Sequence, residues 1–530
     1  MTLKVLISDP LGQEGLDILD ATPGVEAIVE TGLKGEDLRK KLNEVDAVII
    51  RSGTTLSADV LEGNTRLKAI GRAGIGVDNI DLDAATRLGI VVMNTPSGNA
   101  ITTAEHAISL MMSAARHIPQ ACAKLRAGIW DRKMVGTELY GKTLGIIGLG
   151  NIGSLVVERA QGLGMNVVGF DPFVTEDRAQ ALGVELASVE EVIERADVLT
   201  LHVPLTDKTR HLIGAEQLRR MKPTAILVNA ARGGIVDEAA LADALEAGEI
   251  AAAALDVFEQ EPPDPENPLL KSERCIFTPH LGASTREAQT KVAVDVVKQV
   301  CDFLLKGEIR NAVNAASVSA DVLERLGPWL TLSQQLAALL GQLHDGAFER
   351  IRINFAGEIS AQETRPLIAR AVAAILRTGI EELVNEVNAL EVAKQRGIHV
   401  EATRTAETRD YASSVTITIE GPERATSGTG TVFGQNEPRI VRINDFRMEP
   451  LAIHGALLFA VNRDVPGVIG RLGTLLGEAG VNIAQMSVGR TPEREGMALT
   501  VVALDGPASD ETLAAMRDLD VICELRQVLL

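Results

Sequence analysis

The stretch from Gly141 to Asp171 leaves little choice of fold for the middle of this chain. It opens Gly-Lys-Thr-Leu-Gly-Ile-Ile-Gly-Leu-Gly-Asn-Ile-Gly and closes Val-Val-Gly-Phe-Asp, which reads as strand, glycine turn, helix and second strand ending on a carboxylate. Gly148, Gly150 and Gly153 fill the three glycine positions of a dinucleotide motif. One makes the tight turn, one lets backbone approach a pyrophosphate, and one lets the helix pack closely on the sheet. The helix that starts here aims unpaired N–H groups and its positive dipole end at that pyrophosphate. Asp171, 18 residues beyond Gly153, points to NAD rather than NADP, because a carboxylate accepts both ribose hydroxyls and repels an added phosphate.

At 530 residues the chain exceeds what one hydrophobic core serves, so three or four domains are expected. No run of 18 uncharged apolar residues is present, which argues against a membrane span. The N-terminus is a short strand pattern without the parts of a signal peptide, so a cytoplasmic location is expected. Cys122, Cys275, Cys301 and Cys523 are scattered and read as reduced and structural, and no metal is expected. A formal charge of −20 argues against nucleic acid or acidic membranes as partners. An anionic substrate then needs a local basic pocket.

Up to about residue 96 short apolar strands (Val5 to Ile7, Ala47 to Ile50, Ala69 to Gly71, Val91 to Met93) alternate with helix-like stretches, a doubly wound α/β pattern. The pattern breaks at Asn94 to Asn99, and the glycine-rich region follows with strands at Val198 to Val203, Ala225 to Asn229 and Ala251 to Asp256. A helix from about Thr285 to Lys306 is expected to cross back to the first region. Four domains result: 1–96 with 284–316, 97–283, 317–452 and 453–530. The third carries helices at Pro328 to Leu343 and Arg365 to Thr378, and strands at Arg350 to Phe355, Ser414 to Glu420, Thr429 to Val432 and Arg439 to Asn444. Within it Arg439, Arg442 and Arg447 read as one basic strand, either an anion site or a solvated face. The fourth reads β-α-β-β-α-β with a hairpin around Pro492 to Gly496, the ferredoxin-like order.

Three segments end at strands of the glycine-rich sheet: Asn229-Ala-Ala-Arg232, Leu255-Asp256-Val-Phe-Glu-Gln-Glu261-Pro, and Thr278-Pro-His280-Leu-Gly-Ala. Ligands bind at that edge of an open α/β sheet, so Arg232, Glu261 and His280 are expected to converge on a nicotinamide. A guanidinium fork grips a carboxylate or polarises a reacting oxygen. An imidazole takes a hydroxyl proton near working pH, and a carboxylate beside it raises its pKa. Glu259 rivals Glu261 for that last part, and Asp256 is expected at the nicotinamide end of the cofactor. The chemistry implied is hydride transfer at a hydroxylated carbon next to a carboxylate.

These motifs resemble the D-isomer-specific 2-hydroxyacid dehydrogenases over residues 1 to about 314. Among them the long-form branch that acts on 3-phosphoglycerate is most similar, through its intervening domain and terminal ACT domain and through the strings Ile50-Arg51-Ser52, Gly71 to Asn79, Gly136 to Thr143 and Val384 to Asn388. The resemblance implies two doubly wound Rossmann-like domains, then an α+β domain and a ferredoxin-like βαββαβ domain. It implies Arg232 as substrate-binding arginine, Glu261 as the carboxylate just before proline and His280 as general acid/base. Gly148, Gly150, Asn151, Ile152, Gly153, Asp171, Val203, Ala230, Ala231, Arg232, Asp256, His280, Leu281, Gly282 and Ala283 then contact NAD. Arg51, Ser52 and Asn99 lie near the substrate phosphate, and Gly74, Ile75 and Gly76 near its carboxylate. Gly53 stands where some relatives carry a basic residue, which shifts the phosphate grip to Arg51 or a neighbouring subunit. Asp464 and Asn482 mark an effector site for L-serine, the alternative being a module that only holds subunits together.

The implied activity is NAD-dependent oxidation of 3-phospho-D-glycerate to 3-phosphooxypyruvate in serine synthesis, by a homotetramer, with reduction of 2-oxoglutarate as a side activity. A dehydrogenase for another 2-hydroxy acid and a non-enzymatic NAD sensor stay open, since the core motifs are common to all three.

Overall fold

The computed structural model describes residues 2–96, 98–316, 320–380, 383–408, 410–434, 436–491 and 496–530, without the side chains of 320–323. Ser97, in the expected break after residue 93, and positions 492–495 of the expected hairpin lie outside the described residues.

Two all-parallel sheets make up the first three-fifths of the chain. The first holds β1 (Leu3–Ile7), β2 (Val25–Val29), β3 (Ala47–Ile50), β4 (Ala69–Arg72) and β5 (Val91–Met93) in the order β2-β1-β3-β4-β5. The second holds β6 (Thr143–Ile147), β7 (Asn166–Phe170), β8 (Glu185–Leu186), β9 (Val198–Leu201), β10 (Ile226–Asn229), β11 (Ala252–Leu255) and β12 (Cys275–Phe277) in the order β12-β11-β10-β9-β6-β7-β8. Strands such as Ala-Val-Ile-Ile and Val-Leu-Thr-Leu are buried along their whole length, as helices on both faces require. Both orders reverse direction inside the sheet, and that switch opens a crevice at the carboxyl ends.

The helix Ala100–Ala115 packs on the second sheet and the helix Arg286–Lys306 returns to the first. The latter is capped by the Thr285 hydroxyl, which accepts the Ala288 N–H, and stops at left-handed Gly307. Gly71 of β4 leaves room for Val296 and Val300 of this helix, because a Cβ at 71 would lie 2.7–2.8 Å from their methyls.

Among the described residues the remaining strands form one mixed sheet of ten in the order β14-β13-β15-β16-β17-β18-β20-β21-β19-β22. They are β13 (Arg350–Gly357), β14 (His399–Thr405), β15 (Ser413–Glu420), β16 (Ala425–Phe433), β17 (Glu437–Ile443), β18 (Phe446–Ala452), β19 (Ala456–Arg463), β20 (Ile483–Arg490), β21 (Met497–Leu504) and β22 (Ile522–Leu529). Its last four strands carry the helices Val468–Glu478 and Asp510–Arg517, giving the ferredoxin-like order 2-3-1-4 within that unit. The two C-terminal units also share a core, with Leu336 and Ile353 of one packing in the same cluster as Leu457, Phe459 and Val528 of the other. Gln342 ties them further, donating to the Leu529 carbonyl at 2.8 Å and accepting its N–H at 3.2 Å.

Two sequence expectations need correction, and two strands were not foreseen. The first helix of this half begins at Ala320, not Pro328, which lies inside it. Proline favours a helix's first turn, so it reads as a start, yet Leu326 and Leu330 on either side are both core. Strands β14 and β18 go unread: β14 is mostly exposed, and β18 alternates only from Phe446 to Glu449 before Pro450, a residue that argues against a strand. Arg439 and Arg442 lie on β17 but Arg447 lies on β18, directly opposite Arg442, so the basic residues span two strands.

The Val384 to Asn388 string joins the halves. Asn385 donates to the Gly89 carbonyl at 2.7 Å, Asn388 to the Arg87 carbonyl at 3.2 Å, and Val387 packs into the first sheet's core. No helix among the described residues is long and apolar enough to cross a membrane.

Candidate active site

The loop after β6 is shaped for a close-fitting ligand. Gly148 has φ +100°, and a Cβ there would collide with the His202 carbonyl at the end of β9 and press on Val203. A Cβ on Gly153 would collide with the Gly148 carbonyl, so glycine lets the helix Asn151–Gly162 start close to the strand. Gly150, which caps that helix, faces open space. Asn151 and Ile152 follow as its first residues. At the end of β7 the Asp171 carboxylate is fixed by the N–H groups of Leu149 (2.8 Å) and Phe173 (2.9 Å). Beneath the loop, burial pushes the His202 imidazole down to about 4, so this wall stays uncharged. A flat cradle, helix N-terminus and oriented carboxylate fit the pyrophosphate and ribose of NAD.

Ends of β10, β11 and β12 bring the polar residues together. His280 Nδ1 lies 2.7 Å from Glu261 Oε2, while Glu261 Oε1 accepts the Phe258 N–H at 3.2 Å. A carboxylate only accepts, so Nδ1 carries the proton and Nε2 is left to take another. The hydrogen bond to Glu261 raises the His280 pKa above its ordinary value, against desolvation; Asp256 adds to the rise and Arg232 opposes it. Burial tends to raise the pKa of Glu261, yet the His280 bond holds it below the usual carboxylate range. Glu259 instead faces His211 at 3.2 Å. Asp256 is buried and accepts the N–H groups of Leu281 (2.7 Å) and Gly282 (2.8 Å), folding the turn that runs from His280 to Ala283. Arg232 stands on the turn made by Asn229, whose side chain donates to the Arg232 carbonyl and accepts the Ala231 N–H beside buried Ala230.

The first sheet supplies the facing wall. Arg232 Nε donates to Asp78 Oδ2 across the crevice at 2.7 Å. Arg51 follows β3 and Arg72 ends β4. Gly74 and Gly76 leave the space that two guanidiniums use, because a Cβ at 74 would collide with Arg72 and one at 76 with Arg232. The Gly74 to Gly76 loop, Ile75 included, is held by Asn94, which donates to the Ile75 carbonyl at 2.6 Å. Ser52 adjoins Arg51, and Gly53 explains itself, since a Cβ there would lie 2.6 Å from the Asp9 carboxylate that accepts the Arg51 and Thr54 N–H groups. Asn99 is buried with its Oδ1 unpartnered.

Arg72 escapes sequence reading because it looks like a strand-end surface charge. Its Nη1 donates to the Ala73 carbonyl at 3.1 Å, but its buried Nε has no partner. Desolvation, with Arg232 and Arg51 nearby, pushes it down to about 10. The usable signal was its place in Gly71-Arg-Ala-Gly, a charge between glycines at a strand's carboxyl end.

Asp464 and Asn482 lie far down the chain in the ferredoxin-like unit. Asp464 pairs through both oxygens with Arg490 (2.6 and 3.1 Å), and Asn482 donates to Asp505 at 2.7 Å. A separate cavity of about 200 Å³ lies where the two C-terminal units meet, lined by residues including Leu343, Thr426, Phe446 and Phe459. All four cysteines are free.

Comparison with known proteins agrees with this geometry. Residues 108–282 match the NAD binding domain of the D-isomer specific 2-hydroxyacid dehydrogenases, 325–444 the D-3-phosphoglycerate dehydrogenase intervening domain, and 456–521 the ACT domain. The chain is 44% identical to a D-3-phosphoglycerate dehydrogenase of Synechocystis over 96% of its length and 92% of the relative's. It is 41% identical to one of Archaeoglobus fulgidus over 99% and 100%. A solved NAD-dependent formate dehydrogenase of Staphylococcus aureus, in complex with NAD, superposes with TM-score 0.54 at 29% identity, covering 60% of this chain and all of that one.

Proposed function

This chain belongs to the D-isomer-specific 2-hydroxyacid dehydrogenase family, in its D-3-phosphoglycerate dehydrogenase branch, and on that footing we propose that its crevice oxidises 3-phospho-D-glycerate to 3-phosphooxypyruvate, the first step of serine synthesis. The chain is an NAD-dependent oxidoreductase. Bound NAD supplies the hydride acceptor.

The protein's part is to hold a triply charged substrate and move one proton. His280 Nε2 takes the C2 hydroxyl proton as that carbon gives up its hydride and becomes a carbonyl, and Glu261 stabilises the imidazolium that results. Arg232 grips the carboxylate together with backbone at Gly74 to Gly76. Arg51 and Arg72, with Ser52 and Asn99, take the phosphate. The observation that carries this reading is an imidazole–carboxylate pair at 2.7 Å together with a half-buried Arg72, close to Arg232, whose buried Nε has no partner. A relay alone suits any 2-hydroxy acid, whereas unspent positive charge in a chain of net charge −20 suits a phosphorylated one.

The test is NADH formation with 3-phosphoglycerate beside lactate, glycerate and other unphosphorylated 2-hydroxy acids. A preference of tenfold or more in kcat/KM for the phosphorylated acid supports the reading, and equal use of lactate or glycerate overturns it. Within the same proposal, residues 1–96 with 284–316 bind substrate, 97–283 bind NAD, 317–452 intervene and 453–530 regulate. L-Serine binds at Asp464 and Asn482 in a cytoplasmic homotetramer. An inhibition curve with L-serine and sedimentation of the purified protein check those two points.

A further inference from the structure

The helix Ala100–Ala115 grips the catalytic turn from behind at three places. His106 Nε2 lies 3.1 Å from Asp256 Oδ1 and 2.9 Å from Thr278 Oγ1. Thr103 donates to the Gly282 carbonyl at 3.1 Å, and the Thr102 and Thr285 hydroxyls meet at 3.2 Å. Asp256 stands at the centre. Its Oδ1 accepts the Thr278 hydroxyl at 2.5 Å, its two oxygens accept Leu281 and Gly282, and its backbone carbonyl accepts the His280 N–H at 2.8 Å. His280 itself has φ +54°, a left-handed conformation that persists only where the surroundings impose it.

From this arrangement we propose that His106 is a positioning residue for proton transfer, holding the His280 turn through Asp256 and Thr278. Asp256 is 1% exposed, and burial would raise its pKa, but the His106, Thr278 and Leu281 donors keep it below the usual range and so ionised. An ionised carboxylate only accepts, and the Thr278 proton already points at it. The proton on His106 Nε2 is therefore shared between Asp256 and Thr278. Without that donor the buried carboxylate is short of one partner and must draw others toward it. Leu281 and Gly282 are the partners on hand, and shifting them moves His280 away from Glu261. The charged and titratable groups around the turn are Glu261, Asp256, Arg232 and His106.

The proposal rests on His280 as the proton acceptor, and the experiment separates the two. His106→Ala, His106→Gln and His280→Ala are compared in the full-length protein. Thermal unfolding, NADH affinity, kcat against pH, and the titration of ¹³C-labelled imidazoles are read for each. In His106→Ala kcat falls about 10- to 100-fold, the scale of a small misplacement of reacting groups. The His280 midpoint and the kcat limb move together toward the free imidazole value of about 6.5. His106→Gln, which keeps an N–H in reach, recovers most of both. Overturning results are a His106→Ala enzyme with unchanged kcat, or one whose activity falls with the His280 midpoint unmoved and no rescue by Gln. If wild type itself lacks turnover with 3-phosphoglycerate, the substrate reading fails while the imidazole titration still decides on His106.

Discussion

The two walls of the crevice come from sheets of the same kind, yet they spend their charges in opposite ways. On the second sheet the groups around the proton acceptor are matched: His280 to Glu261, Asp256 to four donors, Arg232 to Asp78. On the first, half-buried Arg72 has its buried Nε unpartnered, and among the described residues the Arg51 guanidinium has only the Pro10 carbonyl, at 3.3 Å. The difference follows from the tasks. A proton acceptor needs a fixed neighbour, because the neighbour sets both its tautomer and its proton affinity. A grip on the doubly charged phosphate is best made by donors not yet used, because a paired guanidinium must break one bond to make another.

The contrast breaks most visibly at His280. Replacing it with Ala should cut oxidation about 10²- to 10⁴-fold, the usual share of general acid–base catalysis, with NADH binding retained. Arg72→Met should do the reverse. KM for 3-phosphoglycerate should rise about 10- to 100-fold, the scale of a charged hydrogen bond, with kcat changed far less. Removing an under-partnered, half-buried charge should also leave the melting temperature unchanged or higher. A fall in both kcat and stability would mean that Arg72 belongs to the scaffold and that the walls are alike.

The pairing on the second sheet also fixes a pH dependence. Oxidation needs neutral His280, and the Glu261 bond raises its pKa, so the rate should climb with pH along a limb centred above 6.5. Reduction needs imidazolium and should fall along the same limb. Glu261→Gln keeps the acceptor oxygen but removes the charge, and should move both limbs to lower pH. Limbs that stay put would separate Glu261 from the proton chemistry.

Much of the paired wall was legible in the sequence because it sits in motifs whose spacing is set by strand ends: Gly148 to Gly153, Arg232, Glu261 and His280. The unpaired wall was less so. Arg72 gains its meaning only when β4 lies beside β3 and the Arg232 turn closes over it, and His106 is a helix position that looks like any other until Asp256 meets it from 150 residues away. Gly53 could be noted as a departure but not explained without Asp9 beside it. In the C-terminal half, units read as separate share one sheet: β18 alternates only over Phe446 to Glu449 before Pro450, and a single pair, Arg447 with Arg490, joins it to β20, too little for the sequence to reveal.

The smallest expected effect lies where that half touches the first wall. Asn385 is shaped for the contact: it donates to the Gly89 carbonyl, accepts the Val387 N–H at 2.9 Å, and would crowd any side chain at position 89. The strand β5 begins two residues beyond Gly89 and leads to Asn94, which holds the Gly74 to Gly76 loop. Asn385→Ala removes about 1 kcal/mol of hydrogen bonding at a point that touches neither wall's chemistry, so kcat and KM should stay within about twofold. What should weaken is any response of KM to L-serine, since this junction ties the C-terminal half to the strand behind the substrate loop. A variant with full serine response would mean that regulation reaches the crevice by another route, and one with a raised KM alone would mean that the first wall depends on the C-terminal half even at rest.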